Sequence, residues 1–241
     1  ICDQQYVVKV DPNIKKDVTA IIGCAVMTGA GAVINTAKVK AGQSVVIFGV
    51  GGVGLSAVVG AKVAGANPII AVDLDDRKLS FAKTFGATHV INASEVDPVT
   101  AIHEMTTQSD QFTILKSPVS GADYAFDCIG IRSTMEQIVP ACRSGHFGAA
   151  PGGTAVLVGV PSTEVTLNAI DVLLNEKQFI GSIGGSCAPD RDFEKFLKWH
   201  NEGTLDLEKM VTARYRLEDI NAATQALEAG QIQGRAILEF D

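Results

Sequence analysis

Short apolar runs rich in β-branched residues alternate along this chain with segments whose apolar residues recur at helical spacing. The first half is predicted to contain strand 45–48, helix 55–64, strand 69–72, helix 76–85 and strand 89–91. In the second of these helices Leu79, Ala82 and Phe85 share one face, and Gly86 ends it. A βαβαβ series of this kind is half of a doubly wound parallel sheet.

A second half follows with weaker periodicity. It is predicted to contain helix 99–105, strand 124–129, helix 133–142, strand 154–160 and strand 178–183. Six mostly parallel strands with helical crossovers predict the strand order 3-2-1-4-5-6, with a ligand across the carboxyl ends of the first and fourth strands. The fold class is therefore α/β, a Rossmann-type doubly wound six-stranded sheet.

Other segments fit this sheet less well. Residues 108–120 and 144–153 are rich in turn formers and poor in periodicity, which predicts surface loops. The tail is predicted to contain helices at 192–199 and 217–229 and a strand at 235–240. These tail elements lie outside a six-stranded dinucleotide fold.

The turn after the first strand carries the most specific motif. Gly49, Gly51 and Gly54 have the spacing G-x-G-x-x-G. Gly49 allows a sharp turn, Gly51 leaves room for a pyrophosphate against the backbone, and Gly54 lets the next helix pack closely. The helix then directs its unpaired N–H groups at the phosphates. An ordinary tight turn with the same spacing is the alternative.

The second strand ends in Asp73, nineteen residues after Gly54. A carboxylate at this point can accept hydrogen bonds from both adenosine ribose hydroxyls and would repel a 2′-phosphate, which favours NAD over NADP. Asp73 capping a turn is the alternative interpretation. A flavin site would normally lie at the extreme N-terminus, and a methyltransferase turn usually has an acid where Ile47 and Phe48 stand here.

Composition narrows the class further. The 241 residues carry a net charge of −7 without a basic cluster, which argues against a nucleic-acid partner. No signal peptide is recognised and no apolar stretch is judged long enough to span a bilayer, so a cytoplasmic protein without a membrane partner is expected. The five scattered cysteines are not a disulfide framework, and neither they nor the four histidines have metal-ligand spacing.

Several ordered stretches resemble the zinc-dependent alcohol dehydrogenases of the medium-chain dehydrogenase/reductase family, nearest to the class III and aryl-alcohol-type enzymes. The stretches are 23–32 (GCAVMTGAGA), 35–39 (NTAKV), the glycine turn, 72–73, 121–130 (GADYAFDCIG), 158–161 (VGVP) and 234–238 (GRAIL). They span nearly all of the chain. Residues 108–120 and 144–153 look like insertions relative to the family.

The resemblance implies roles for particular residues. Cys24 matches a ligand of the catalytic zinc, a buried structural cysteine being the alternative, and Thr28 matches a catalytic-site residue that packs on the nicotinamide ring. The implied cofactor-binding residues are Gly49, Gly51, Gly52, Val53, Gly54, Asp73, Lys78, Ile129, Val158 and Arg235.

Within that set the implied contacts differ. Val53 borders the pyrophosphate and the nicotinamide ribose, Lys78 lies near the adenosine ribose, and Ile129 and Val158 line the nicotinamide side. Arg235 reaches the pyrophosphate, where a planar guanidinium suits two phosphate oxygens. A solvated surface charge is the alternative for Lys78 and for Arg235.

The resemblance also implies a domain plan. Residues 1–25 and 184–241 match parts of a GroES-like catalytic domain, and residues 26–183 match the NAD-binding Rossmann domain. The other ligands of the catalytic zinc, a proton-relay residue and a structural-zinc lobe would lie outside these 241 residues, so Cys24 alone cannot hold the metal.

The implied function is NAD-dependent, zinc-assisted oxidation of a small-molecule alcohol, or of a hydroxymethyl-thiol adduct, to an aldehyde, for which this chain carries the coenzyme-binding portion. A stand-alone NAD-binding module and a zinc-free quinone reductase are the alternatives, and Cys24 and Asp73 both argue against the reductase. The apolar sheet edge at 178–183 predicts a homodimer, or a homotetramer built from it.

Overall fold

The computed structural model describes residue 3 and residues 7–240. Its N-terminal part is one continuous helix, Lys16–Thr36, in which α1 (Lys16–Ala20) and α2 (Met27–Gly31) are each followed by a π-helical segment. By length and composition this helix meets the requirement for crossing a bilayer, so the sequence expectation that no such stretch exists is wrong. More than half of its apolar window is buried inside the protein, which explains its apolar character as that of a core helix.

The centre of the molecule is a six-stranded sheet in which every neighbouring pair is parallel. The strands of the described chain are β1 (Val45–Phe48), β2 (Ile69–Asp73), β3 (His89–Asn92), β4 (Gln108–Phe112), β5 (Pro118–Val119), β6 (Tyr124–Asp127), β7 (Thr154–Leu157), β8 (Gln178–Gly181), β9 (Val211–Arg216) and β10 (Arg235–Glu239). The order in the large sheet is β3-β2-β1-β6-β7-β8. This confirms the predicted order 3-2-1-4-5-6 and the Rossmann-type class.

Helices cover both faces of the sheet. They are α3 (Gly52–Ala64), α4 (Asp76–Phe85), α5 (Pro98–Thr106), α6 (Arg132–Ala141) and α7 (Ala169–Asn175). On one face, the α3 and α4 side chains pack with Ile47, Ala71 and other strand residues that point to that side of the sheet. On the other face, Ile102 and Ile138 of α5 and α6 pack with Phe48 and its neighbours. Since successive strand residues face opposite sides, both layers draw on the same strands.

The two irregular segments 108–120 and 144–153 differ in the structure. Residues 108–120 contain the antiparallel pair β4 and β5, so their prediction as a surface loop is wrong. Residues 144–153 are a loop that lies against the first segment through a backbone hydrogen bond from Phe147 to Phe112. An ion pair between Arg143 and Asp123 (2.9 Å) lies at the start of residues 144–153. Long-range pairing of this kind leaves no periodicity in the sequence.

The tail forms a separate parallel pair, β9 with β10, together with α8 (Pro189–Asn201), α9 (Leu207–Met210) and α10 (Ile220–Glu228). Sequence periodicity predicts α8, α10 and β10 and misses β9 and α7. Three predicted sheet strands are also shorter than expected: β6 stops at Asp127, β7 at Leu157 and β8 at Gly181. Asp127 ends β6 because its carboxylate binds the next backbone amides in a turn.

Candidate functional site

The glycine turn joins β1 to α3 at the carboxyl edge of the sheet. Gly49 has φ +83°, a left-handed conformation that favours glycine, and a Cβ at Gly54 would overlap the carbonyl oxygen of Gly49. A Cβ at Gly51 would meet nothing within 4 Å. Gly51 is also the N-cap of α3 and supplies no side-chain hydrogen bond, so the first amides of α3 face the space in front of the turn.

Asp73 lies beside this turn at the end of β2. Its Oδ2 accepts a hydrogen bond from the amide of Val50 (2.9 Å), and its Oδ1 accepts from the amides of Leu74 (2.8 Å) and Asp75 (3.2 Å). These bonds orient the carboxylate with respect to the glycine turn. Each carboxylate oxygen can accept more than one hydrogen bond, so Asp73 retains capacity for a ligand.

A cleft of about 760 Å³ opens in front of the turn and Asp73. Its lining residues are Phe48, Gly49, Gly51, Val72, Asp73, Leu74, Lys78, Ala93, Cys128, Ile129, Ile131, Ser133, Thr134, Gln137 and Leu227. Five residues of the predicted cofactor-binding set are among them: Gly49, Gly51, Asp73, Lys78 and Ile129. The cleft lies at the carboxyl ends of the first and fourth sheet strands, β1 and β6, where the predicted strand order requires it.

The wall formed by β6 and α6 is organised by Asp127. Its buried carboxylate accepts hydrogen bonds from the amides of Ile129 (3.2 Å) and Gly130 (2.9 Å) and from the hydroxyl of Thr134 (2.8 Å). Burial raises the pKa of Asp127 above its usual range, against the lowering effect of these hydrogen bonds. Burial likewise raises the pKa of the neighbouring Cys128 thiol, which leaves it protonated and unreactive.

Arg235 reaches the start of α3 from β10. Its Nε and Cδ lie where a Cβ on Gly52 would be, so the guanidinium packs directly on the first residue of α3. Its Nη2 lies 4.0 Å from the Sγ of Cys24. The structure therefore brings together Gly52, Arg235 and Cys24, although 211 residues separate the last two. A cation and the N-terminus of a helix, both suited to binding an anion, therefore lie next to each other here.

The remaining predicted residues surround the site without lining the cleft. Thr28 lies half-buried in α2, and Val158 is a buried residue directly after β7. The backbone of Val53 packs against α2 because its carbonyl oxygen occupies the position that a Cβ on Gly29 would take. Gly54 contributes through the close contact with Gly49.

Cys24 is the residue that the resemblance implies as a zinc ligand. Within residues 3 and 7–240, no three His, Cys, Asp or Glu side chains are grouped so that they could hold a metal ion. Cys24 is exposed, with a free thiol. The described residues thus do not form a zinc site by themselves. Cys2 lies outside the described residues, as do the other undescribed positions of the predicted 1–25 segment.

Ten of the fifteen residues that line the cleft are absent from the predicted set, among them Leu74, Ile131, Gln137 and Leu227. Leu74 had a local signal, since it directly follows Asp73 and is a large apolar residue beyond a strand end. Ile131, Gln137 and Leu227 had none. Leu227 reaches the cleft from α10, more than 150 residues beyond Asp73, and only the fold brings it there.

Comparisons with known proteins agree with this geometry. A sequence model of the zinc-binding dehydrogenases matches residues 52–202. The chain is 36% identical to the alcohol dehydrogenase class-3 of Cereibacter sphaeroides over 93% of its length, and 34% identical to the S-(hydroxymethyl)glutathione dehydrogenase of Paracoccus denitrificans over 93% of its length. It spans 57% of each of these relatives. The crystal structure of benzyl alcohol dehydrogenase from Acinetobacter calcoaceticus superimposes with a TM-score of 0.83 at 33% identity, covering 97% of this chain and 59% of that one.

Proposed function

Since this chain belongs to the zinc-binding dehydrogenase family, we propose that it binds NAD and forms the coenzyme-binding portion of an alcohol dehydrogenase. The proposed reaction is oxidation of an alcohol, or of a hydroxymethyl-thiol adduct, to an aldehyde. The chain spans about 57% of the curated relatives that it matches, so this activity belongs to the proposal and not to the 241 residues alone. The relatives that the chain matches include an alcohol dehydrogenase class-3 and an S-(hydroxymethyl)glutathione dehydrogenase, which supports the substrate class.

The observation that carries the proposal is the position of the Asp73 carboxylate at the end of β2, bonded to the Val50 amide of the glycine turn. A single hydrogen bond therefore joins the Asp73 carboxylate to the glycine turn, the backbone segment that would contact a pyrophosphate. An adenosine ribose in the cleft would donate its hydroxyl hydrogens to Asp73, with Lys78 on the same wall. A 2′-phosphate at this place would be repelled, so NAD is preferred to NADP.

The pyrophosphate would lie between the start of α3 and Arg235. The N-terminal amides of α3 provide donors and a positive dipole end, and the guanidinium of Arg235 provides a planar cation. Gly51 leaves the approach to this position open, since a Cβ there would point into free space. We place the nicotinamide beyond this point, toward Thr28, Val53, Ile129 and Val158.

When bound, NAD supplies the hydride acceptor, C4 of the nicotinamide ring. The contribution of this chain is to orient the dinucleotide along the carboxyl edge of the sheet and to keep water from it with apolar side chains. The described residues do not make a zinc site by themselves. We propose only that Cys24 is one ligand of a site completed by residues outside this chain, with residues 1–25 and 184–241 as parts of the catalytic domain.

We further propose that the protein is a cytoplasmic homodimer, or a homotetramer built from such dimers. Strand β8 pairs with β7 on one side only among the described residues. The amides of Gln178 and Ser182 point to β7, where they donate to Gly153 and Leu157, so the alternate amides of Phe179 and Gly181 point away from the sheet. Such an edge can pair with its own copy across a twofold axis.

A direct binding experiment tests the coenzyme assignment. The purified chain is titrated with NADH and with NADPH while nicotinamide fluorescence is followed, and its metal content is measured in the same preparation. Binding of NADH at least tenfold tighter than NADPH supports the proposal. Absence of NADH binding contradicts it, and binding without zinc or turnover would identify a stand-alone NAD-binding module.

A further inference from the structure

The end of the cleft beyond Asp73 is bordered by large apolar side chains that are unusually exposed. Leu74 and Ile131 line it with 67% and 47% of their surface exposed. Together they give the cleft that also holds Asp73, the proposed ribose carboxylate, an exposed apolar surface. A flat aromatic group placed there would cover this apolar surface.

One polar side chain in this part of the cleft has no partner among the described residues. Gln137 lines the cleft from α6, is half-buried, and makes no hydrogen bond within the described chain. Thr134, one helical turn earlier, is already engaged because its hydroxyl donates to Asp127 (2.8 Å). The carboxamide of Gln137 therefore offers both an unused donor and an unused acceptor to whatever occupies the cleft.

We propose that Gln137 is a specificity-determining residue that recognises the adenine base of the dinucleotide. Its carboxamide oxygen accepts a hydrogen bond from the exocyclic amino group of adenine, and its NH₂ group donates to the ring nitrogen N1. A glutamine amide matches adenine in this bidentate way because it carries one acceptor and one donor side by side. The inference rests on the proposed function, since it requires NAD in this cleft, and it assigns Gln137 no part in hydride transfer.

The test uses a ligand whose adenine edge is blocked. In nicotinamide 1,N6-ethenoadenine dinucleotide the added ring removes the amino hydrogens and the N1 acceptor, while the ribose and pyrophosphate are unchanged. The full chain and its Gln137→Met variant are titrated with NAD⁺ and with the etheno analogue by calorimetry. Methionine retains the length of the side chain and its helix propensity but loses both polar groups.

The wild-type chain should bind NAD⁺ about tenfold more tightly than the analogue, the effect of two neutral hydrogen bonds. Gln137→Met should lose about tenfold in NAD⁺ affinity, bind the analogue within twofold of wild type, and so abolish the preference. Gln225→Met, the same substitution at an exposed glutamine of α10 outside the cleft, should retain it.

Three results would overturn the proposal: equal binding of the two ligands by the wild type, a preference that persists in Gln137→Met, or equal loss of both ligands in that variant. The wild-type comparison remains informative even if the variant does not fold. Failure of the wild type to bind NAD⁺ at all would instead contradict the proposed function, so the two failures are distinguishable.

Discussion

The carboxylate of Asp73 and the backbone amide of Val50 are joined by a hydrogen bond of 2.9 Å. Asp73 ends β2, and Val50 lies in the glycine turn after β1, so this bond links the proposed ribose anchor to the proposed pyrophosphate cradle. Asp73 consequently has two roles, one electrostatic and one in shaping the turn. Substitutions that separate these roles give the sharpest test of coenzyme choice.

Replacement of Asp73 should change the preference for NAD over NADP. Asp73→Gly removes the charge and the turn anchor, and Asp73→Asn removes the charge but keeps an acceptor oxygen. Both variants should lower the ratio of NAD to NADP affinity by at least tenfold, because repulsion of the 2′-phosphate is lost, and Asp73→Gly should lose more affinity for NAD itself. Calorimetric titration measures both ligands, and an unchanged ratio would mean that the ribose assignment is wrong.

Arg235→Ala should weaken NADH binding by about 1.5–3 kcal/mol, the contribution of a hydrogen bond to a charged group. Folding should change little. Arg214→Ala on the neighbouring strand β9 is the matched control, since the Arg214 guanidinium forms ion pairs with Asp17 and Glu239. Fluorescence titration and thermal unfolding are measured for both variants. If Arg235→Ala loses as much stability without coenzyme as it loses affinity, Arg235 is a structural residue.

Substitution by alanine should affect stability at one glycine of the turn and coenzyme affinity at another. At Gly54 a methyl group would overlap the carbonyl oxygen of Gly49, so Gly54→Ala should lower the free energy of unfolding by about 1–3 kcal/mol. At Gly51 the methyl group has free space and φ is −69°, so Gly51→Ala should fold normally. It should nevertheless bind NADH more weakly, because the methyl group occupies the approach to the pyrophosphate. Urea unfolding and NADH titration of both variants decide between these outcomes.

The stability of the tail should depend on pH through Asp192. Burial by itself raises the pKa of this carboxyl, but hydrogen bonds from Arg191, Lys195 and the Ala188 amide outweigh it, and the pKa is lowered below its usual 3.8. A lowered pKa stabilises the folded state above about pH 4, and this contribution is lost as the pH falls below that value. Asp192→Asn should therefore cost about 1.5–3 kcal/mol at pH 7 and progressively less below pH 4.

Urea unfolding at a series of pH values measures this effect, with Asp190→Asn as the control. Asp190 is exposed on the same first turn of α8, so its replacement should change stability by less than about 0.5 kcal/mol. A constant difference between Asp192→Asn and the wild type from pH 7 to pH 2.5 would contradict the role assigned to the ionised carboxylate.

The proposed dimer should be sensitive to charge on β8. Ile180→Lys would place a lysine beside its own copy across the twofold axis and should yield monomers or insoluble protein. Gln178→Lys is the milder variant, because the Gln178 side chain is already exposed and its replacement should leave folding intact. Light scattering reports the mass of each species. A folded Gln178→Lys protein together with an unchanged Ile180→Lys dimer would exclude β8 as the interface.

Several elements and site residues could be predicted because their signals are local. The glycine spacing, the acid at position 73 and the helical face of residues 76–85 each depend on a few consecutive residues, because backbone conformation and side-chain periodicity are local properties. Strand order followed as well, since right-handed crossovers leave few arrangements for such a series. The structure confirmed that order and the Rossmann-type class.

Tertiary structure alone decided which distant residues meet. The contact of Arg235 with Gly52 and Cys24, the reach of Leu227 into the cleft and the unused carboxamide of Gln137 have no sequence signal, because they depend on how separate segments pack. The same reason explains the errors. The apolar helix Lys16–Thr36 could be recognised as a core element only from its burial, and the β4–β5 hairpin pairs strands that carry no alternation of apolar and polar residues.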